Sequence, residues 1–127
     1  SLDEEKLSER IKESLEMTPL APPAIGTLAK NLEVDAKYLS SLLRRMEIKS
    51  ITVSVKQDRY FLRKTIQTFI HIIVNAANDL DGEISLVKFR HLTGLSRNRA
   101  VEVLEYFDKT GLTRRIGDSR AINADFY

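Results

Sequence analysis

A short run of polar and basic residues stands out for its possible chemistry: Ser96, Arg97, Asn98 and Arg99. Serine is a favoured helix cap, and the backbone amides of a helix's first turn lack partners and attract anions. Arginines at that end oppose the helix dipole, and a bound phosphate would remove the conflict. The run predicts an anion-binding helix start. The alternative is a solvated arginine cluster that makes surface ion pairs.

The surrounding charge supports a nucleic-acid partner. The net charge of the chain is only +2, but its distribution is uneven. Residues 88–120 hold eight basic and four acidic side chains, whereas residues 1–17 hold six acids and three bases. Such a basic segment is typical of phosphate binding. The further candidates for nucleic-acid contact are Lys88, Arg90, Arg114, Arg115 and Arg120.

Spacing limits which of these bases can act together. Lys88 and Arg90 are two residues apart in a predicted helix, so at most one of them reaches a given contact. Arg114 and Arg115 are adjacent in a predicted strand and point to opposite faces. We expect one of them to face the ligand and the other to cover a helix or to pair with Glu102 or Glu105. Arg120 lies on the partner strand and can join either face.

The second half of the chain has the pattern of a winged helix, which is a helix-turn-helix followed by a β-hairpin. Glycine after an apolar helical segment marks a helix end, and alternating residues around a Gly-containing loop mark a hairpin. The predicted helices are Thr65–Leu80, Leu86–Thr93 and a third from the Ser96 cap to Gly111, and the predicted strands are Glu83–Ser85, Leu112–Ile116 and Arg120–Asn123, with Asp81-Gly82 ending the first helix.

The first half repeats this order. The predicted helices are Leu2–Glu16, Pro23 to about Leu32, and one from an Asp35 cap to about Met46, followed by strands Ser50–Val55 and Arg59–Arg63. The fold class is therefore mainly α with small β-hairpin wings, as tandem winged-helix domains over residues 1–63 and 64–127. We assign nucleic-acid binding to the second domain and a supporting role to the first, whose third helix carries its bases at the end, where they complement the dipole.

Several function classes are disfavoured. The chain has no cysteine, and His71 and His91 are too far apart to indicate a zinc site, so we expect no metal and no cofactor. No phosphate-binding glycine loop or nucleophile–base pair is evident, so we do not expect an enzyme. The longest strongly apolar stretch, Phe69–Val74, is too short to cross a membrane, and nothing resembles a signal peptide. These features favour a cytoplasmic protein.

Three motifs carry a resemblance to a known family: LTGLSR from Leu92, LEYFD from Leu104 and TRRIGD from Thr113. At these spacings they resemble the last winged-helix domain of the bacterial selenocysteine-specific elongation factor (SelB) family, from about Gly82 to Asn123. Residues 1–63 look like the preceding winged helix. The resemblance implies binding of the selenocysteine-insertion hairpin in mRNA, with Arg97, Asn98 and Arg99 at the RNA-facing turn.

The resemblance also implies what would lie outside this chain. The full-length factor would bind GTP through an upstream domain and reach the ribosome, and the fragment would be a monomer. The first residues, Ser1-Leu2-Asp3, lack an initiator methionine, so we expect a piece of a longer protein.

Two rival functions fit the same fold: a DNA-binding transcription regulator and a protein-interaction adaptor. A-form RNA has a major groove too narrow for a recognition helix, so an RNA-binding winged helix should hold phosphates and read a bulged or looped base. Glu102 and Glu105 would repel phosphates if the third helix entered a DNA groove. The residues therefore favour an RNA hairpin over duplex DNA.

Overall fold

The computed structural model describes residues 1–79 and 82–123, and the predictions that fall on Leu80 and Asp81 lie outside them. The chain forms two compact units, Ser1–Ile66 and Gln67–Tyr127. The functional division at residues 63 and 64 stays a prediction. The elements in the described residues are α1 (Leu2–Met17), α2 (Ile25–Leu32), α3 (Ala36–Ile48), β1 (Thr52–Lys56), β2 (Arg59–Leu62), α4 (Arg63–Asp79), β3 (Glu83–Ser85), α5 (Leu86–Thr93), α6 (Arg97–Thr110), β4 (Thr113–Ile116) and β5 (Ser119–Ile122).

The first unit packs α1, α2 and α3 against one face of the β1–β2 hairpin. Apolar residues at four-residue spacing put one stripe of α1 in the core: Leu7, Ile11 and Leu15 are all buried. Asp35 caps α3 as predicted, because its Oδ2 accepts from the Tyr38 amide at 3.0 Å. The hairpin contributes Tyr60 and Leu62 to the same core.

The first strand begins at Thr52 rather than Ser50, and the second ends at Leu62 rather than Arg63. The start of α2 was also predicted wrongly. Pro23 was expected in the first turn of α2, but the helix begins at Ile25 behind an extended Ala24. The amide of Ile25 donates to the Asp58 carbonyl at 2.8 Å, and Arg59 of the hairpin also donates to the Pro22 carbonyl. These contacts hold the segment before α2 against the wing and delay the helix.

The second unit is a helix-turn-helix with a three-stranded sheet of order β3-β5-β4. Its core includes an edge-to-face pair of Phe69 and Phe89, with ring centroids 5.9 Å apart. Gly94 ends α5 with φ 78°, a left-handed conformation that favours glycine. The β4–β5 turn is tighter than predicted, because Ser119 pairs with Ile116 and leaves Gly117-Asp118 as the turn. The predicted class, mainly helical with small hairpin wings, is confirmed.

Tyr60 gives the first unit a pH-dependent stability. Burial, and then the nearby carboxylate of Glu47, raise its pKa above the ordinary 10.0. The folded chain therefore keeps this proton at pH values where the unfolded chain loses it. The resulting stability is fully present below pH 10.0 and is lost as pH rises through the raised value.

We expect Tyr60→Phe to remove this particular alkaline loss. The free energy of unfolding of wild type and variant, measured by urea titration at neutral pH and above pH 10.0, should converge or cross as pH rises. Other ionising groups are shared by the two proteins and cancel in the comparison. A wild-type-to-variant difference that does not change with pH would contradict the assignment.

Candidate nucleic-acid interface

The site begins at the cap of α6. Ser96 is extended, and its Oγ accepts from the Arg99 amide at 3.2 Å, as predicted. The Ala100 amide donates to the Ser96 carbonyl at 2.8 Å, which starts the helix. Arg97 and Asn98 are exposed in the first turn. The cap thus sets the start of α6, and with it the position of these two exposed side chains and their backbone amides.

Beside this turn lies a cavity of about 490 Å³, enclosed by the start of α5, by α6 and by the wing. Its charged lining consists of Arg97, Arg115, Arg120 and Asp118. The apolar lining includes Leu86, Val87, Val101 and Leu104. The volume falls within the range of about 300–1,000 Å³ that is usual for ligand pockets. Three arginines against one aspartate make the cavity suited to an anionic ligand with an apolar part.

The wing settles which adjacent arginine faces this cavity. Arg115 lies opposite Arg120 in the hairpin, and cross-strand partners share a face of the sheet. Both line the cavity, and the Arg115 Nε donates to the Gly117 carbonyl at 2.9 Å. Arg114 is opposite Ala121 and exposed on the other face. Of the two wing candidates, Arg115 therefore shares the cavity with Arg97.

The side chains of Arg97 and Arg99 point in different directions from α6. Residues two apart on a helix diverge by about 200°. Arg97 lines the cavity, whereas Arg99 pairs with Glu102 at 3.0 Å, with side chains 21% and 12% exposed. The spacing of three residues along α6 brings Arg99 to Glu102, one of the two carboxylates that we expected the second wing arginine could pair with.

Arg120 is placed differently from the other candidates. It is 5% exposed, and its Nε donates to both carboxylate oxygens of Asp108 at 3.1 Å. Asp108 also accepts from the Thr113 hydroxyl at 2.7 Å. A buried, paired guanidinium is poorly placed for a strand of phosphates passing over the surface. Arg120 therefore belongs to the interior of the cavity, and the surface contacts fall to others.

The two bases on α5 point away from each other, as their spacing predicted. Lys88 is exposed and lines a separate groove with Ile72, Asn75 and Asp79 of α4. Arg90 is exposed at the other side, where its Nε donates to the Leu95 carbonyl at 3.4 Å beside the Ser96 turn. Arg90 is thus the nearer of the two to the α6 cap.

The sequence-based reasoning missed the apolar wall of the cavity. Val87 is 78% exposed, although it is two residues from the fully buried Phe89. An apolar side chain on the outer face of a short helix, next to a basic cluster, was the signal. Such a wall offers a surface against which the flat face of a base can pack.

Comparison with known proteins points to one family. A family model described as "Elongation factor SelB, winged helix" matches residues 75–122. The selenocysteine-specific elongation factor of Escherichia coli (strain K12) is 33% identical over 101 residues, which are 77% of this chain and 16% of that protein. Its counterpart from Desulfomicrobium baculatum is 30% identical over 103 residues, with shares of 81% and 16%. The resemblance to the SelB winged-helix domains is confirmed.

Solved SelB structures agree with this result. The mRNA-binding domain of elongation factor SelB from E. coli, solved in complex with SECIS RNA, matches with a TM-score of 0.77 and 28% identity over 91% of this chain and 95% of that chain. A bacterial selenocysteine-specific elongation factor EF-Sec matches with a TM-score of 0.67 over 96% of this chain and 18% of that chain. At 16% identity, the second match shows the fold alone.

Within the described residues no helix is long and apolar enough to cross a membrane. In the same part of the chain, no three His, Cys, Asp or Glu side chains are grouped so that they could hold a metal ion.

We expect the Ser96 cap to contribute measurably to the stability of α6. Ser96→Ala removes the acceptor of the Arg99 amide and should cost about 1 kcal/mol. Ser96→Asp keeps an acceptor and adds a favourable charge at the positive end of the helix dipole, so it should retain wild-type stability. Amide hydrogen exchange across α6, combined with urea unfolding, measures both. Equal protection in Ser96→Ala and wild type would contradict the role of the cap.

Proposed function

We propose that this chain binds a selenocysteine-insertion hairpin in mRNA through residues 64–127 and thereby tethers a translation elongation factor for selenocysteine incorporation. The observation that carries the proposal is the cavity in which Arg97 and Arg115 converge beside the exposed turn of α6. This cavity belongs to a segment that resembles the SelB mRNA-binding domain, and that relative was solved with SECIS RNA.

The shape of the site suits a hairpin better than a duplex groove. Sequence-specific RNA recognition favours unpaired bases that can be splayed out and packed against side chains. A cavity with the apolar wall of Leu86 and Val87, rimmed by Arg97 and Arg115, can take such a base while its phosphates stay at the rim. Glu105 is exposed on α6, so that helix would bring a negative charge towards the phosphates of a DNA groove.

The candidate residues other than Arg120 have the following roles in this account. Arg97 and Arg115 contact phosphates through charge-assisted hydrogen bonds. Asn98 and the Ser96 turn supply polar contacts to an adjacent nucleotide, and Arg90 flanks the strand near the cap. Lys88 and Arg114 face other directions and contribute through long-range attraction. Arg99, which is held by Glu102, contributes less than Arg97.

The rest of the proposal concerns the whole elongation factor. This chain matches only 16% of the length of each of the two related factors. An upstream GTP-binding domain would perform the catalysis, and this chain would supply RNA binding without an active site. The first domain, residues 1–63, would support the second. The factor would act on the ribosome in the cytoplasm, with this region as a monomer.

Replacement of the two cavity arginines tests the proposal. Arg97→Ala and Arg115→Ala should each weaken binding of a SECIS hairpin by about 1–3 kcal/mol, because each removes a charge-assisted contact. Each should also reduce the slope of log affinity against log salt by about 1. Fluorescence anisotropy across a salt series measures both quantities.

Arg114→Ala is the matched control, because it removes the same charge from the same strand but from the opposite face. It should cost less than Arg115→Ala. Equal losses would show that net charge alone drives binding. Duplex DNA that competes better than the hairpin, or a flat salt dependence with the tightest partner, would favour the DNA-binding or adaptor function instead.

A further inference from the structure

Arg120 is a buried cation whose donors are only partly used by the other residues that the structure describes. Its side chain is 6% exposed, and within residues 1–79 and 82–123 its hydrogen bonds all leave from Nε, to the two oxygens of Asp108. A guanidinium carries five donors, four of them on its two terminal nitrogens. Buried polar groups normally have partners, so these remaining donors require an explanation.

Arg120 lines the cavity, although its side chain is only 6% exposed. Because Nε is bound to Asp108, the terminal nitrogens are the donors left for a ligand in the cavity.

The surroundings hold this guanidinium still. Arg120 lies on the central strand β5, between Ile84 on β3 and Arg115 on β4. Asp108 fixes Nε from α6 and is itself fixed by the Thr113 hydroxyl. A pre-organised fork loses little entropy when it binds, which is the condition for discriminating between similar ligands.

Apolar side chains also line this cavity, besides Ser85 and Asp118. Val101 and Leu104 line the cavity with Leu86. A ligand group that enters without hydrogen-bond acceptors would leave the guanidinium unpaired, and a site built to hydrogen-bond its ligand rejects analogues that cannot do so. The floor of the cavity therefore selects by acceptor pattern, whereas its rim attracts by charge.

We propose that Arg120, held by Asp108, is the specificity-determining residue for an unpaired nucleobase that enters this cavity. The fork matches a base edge with two adjacent acceptors, as guanine presents at O6 and N7, and an edge with one acceptor satisfies it less well. Asp108 is a positioning residue, which acts by aiming the fork. This inference rests on the proposed RNA-hairpin function and adds which residue reads the base.

The test is a discrimination measurement. The probes are a SECIS hairpin and variants in which each unpaired nucleotide is replaced in turn by the other three bases. Wild type should prefer one base at one unpaired position by about tenfold, within the range of a good bidentate contact. Arg120→Lys keeps the charge beside Asp108 but has no fork, and it should lose most of that preference. Its salt dependence should match wild type.

Three further variants separate base recognition from folding. Arg97→Ala should weaken all hairpins alike, reduce the salt slope and leave the preference for the base intact. Asp108→Asn should reduce the preference through a less fixed Arg120, and Asp108→Glu, which restores a carboxylate, should recover part of it. A purely structural role for the pair would lower thermal stability and weaken all hairpins equally, with the preference unchanged.

The outcomes are distinct. Wild type that does not bind the hairpins at all rejects the proposed function and this inference with it. Wild type that binds without any base preference, or a folded Arg120→Lys protein that keeps the wild-type preference, overturns the role of Arg120 and leaves the proposed function standing.

Discussion

The ion pair between Asp108 and Arg120 is the contact on which the candidate site depends. It joins the last turns of α6 to the central strand of the sheet, with Nε 3.1 Å from both carboxylate oxygens. Breaking such a pair leaves a buried charge without a partner, which costs about 3–5 kcal/mol in typical proteins. The pair links α6 to the wing, and both of these elements border the cavity.

This constraint divides the basic residues by role. Arg97 and Arg115 reach the rim, Arg120 forms the floor, and Arg99 is held by Glu102. A count of positive charges would treat all four alike. Surface charges attract an anionic partner over distances that salt shortens, whereas a buried guanidinium acts only on what enters the cavity. In the proposed function, attraction and selection are therefore assigned to different arginines.

Features governed by local chemistry were the most predictable from sequence. The Asp35 and Ser96 caps follow from preferences of single residues, and both were predicted. The motifs around Ser96 also indicated the resemblance to the SelB winged-helix domains. Strand alternation placed Arg114 and Arg115 on opposite faces, but it does not say which face meets α6. That choice depends on the pairing of β4 with β5, which is a tertiary property.

The features that sequence reasoning missed also arise from tertiary packing. Arg120 appeared to be one more surface base, because nothing in its neighbourhood along the chain shows that Asp108 lies beneath it. The observed start of α2 lies later in the chain than the predicted one, because the wing holds the segment before the helix. Val87 was overlooked because an apolar residue in a helix is assumed to face the core, and here it is 78% exposed.

The most direct test of the account is to map the hairpin onto the protein by NMR. Titration of a SECIS hairpin into isotope-labelled protein should shift the signals of Ser96, Arg97 and Asn98, together with Val87 and Arg115 around the cavity. The Lys88 groove and the first unit should change little. Shifts concentrated on that groove or on the first unit, with the cavity residues unmoved, would contradict the central claim.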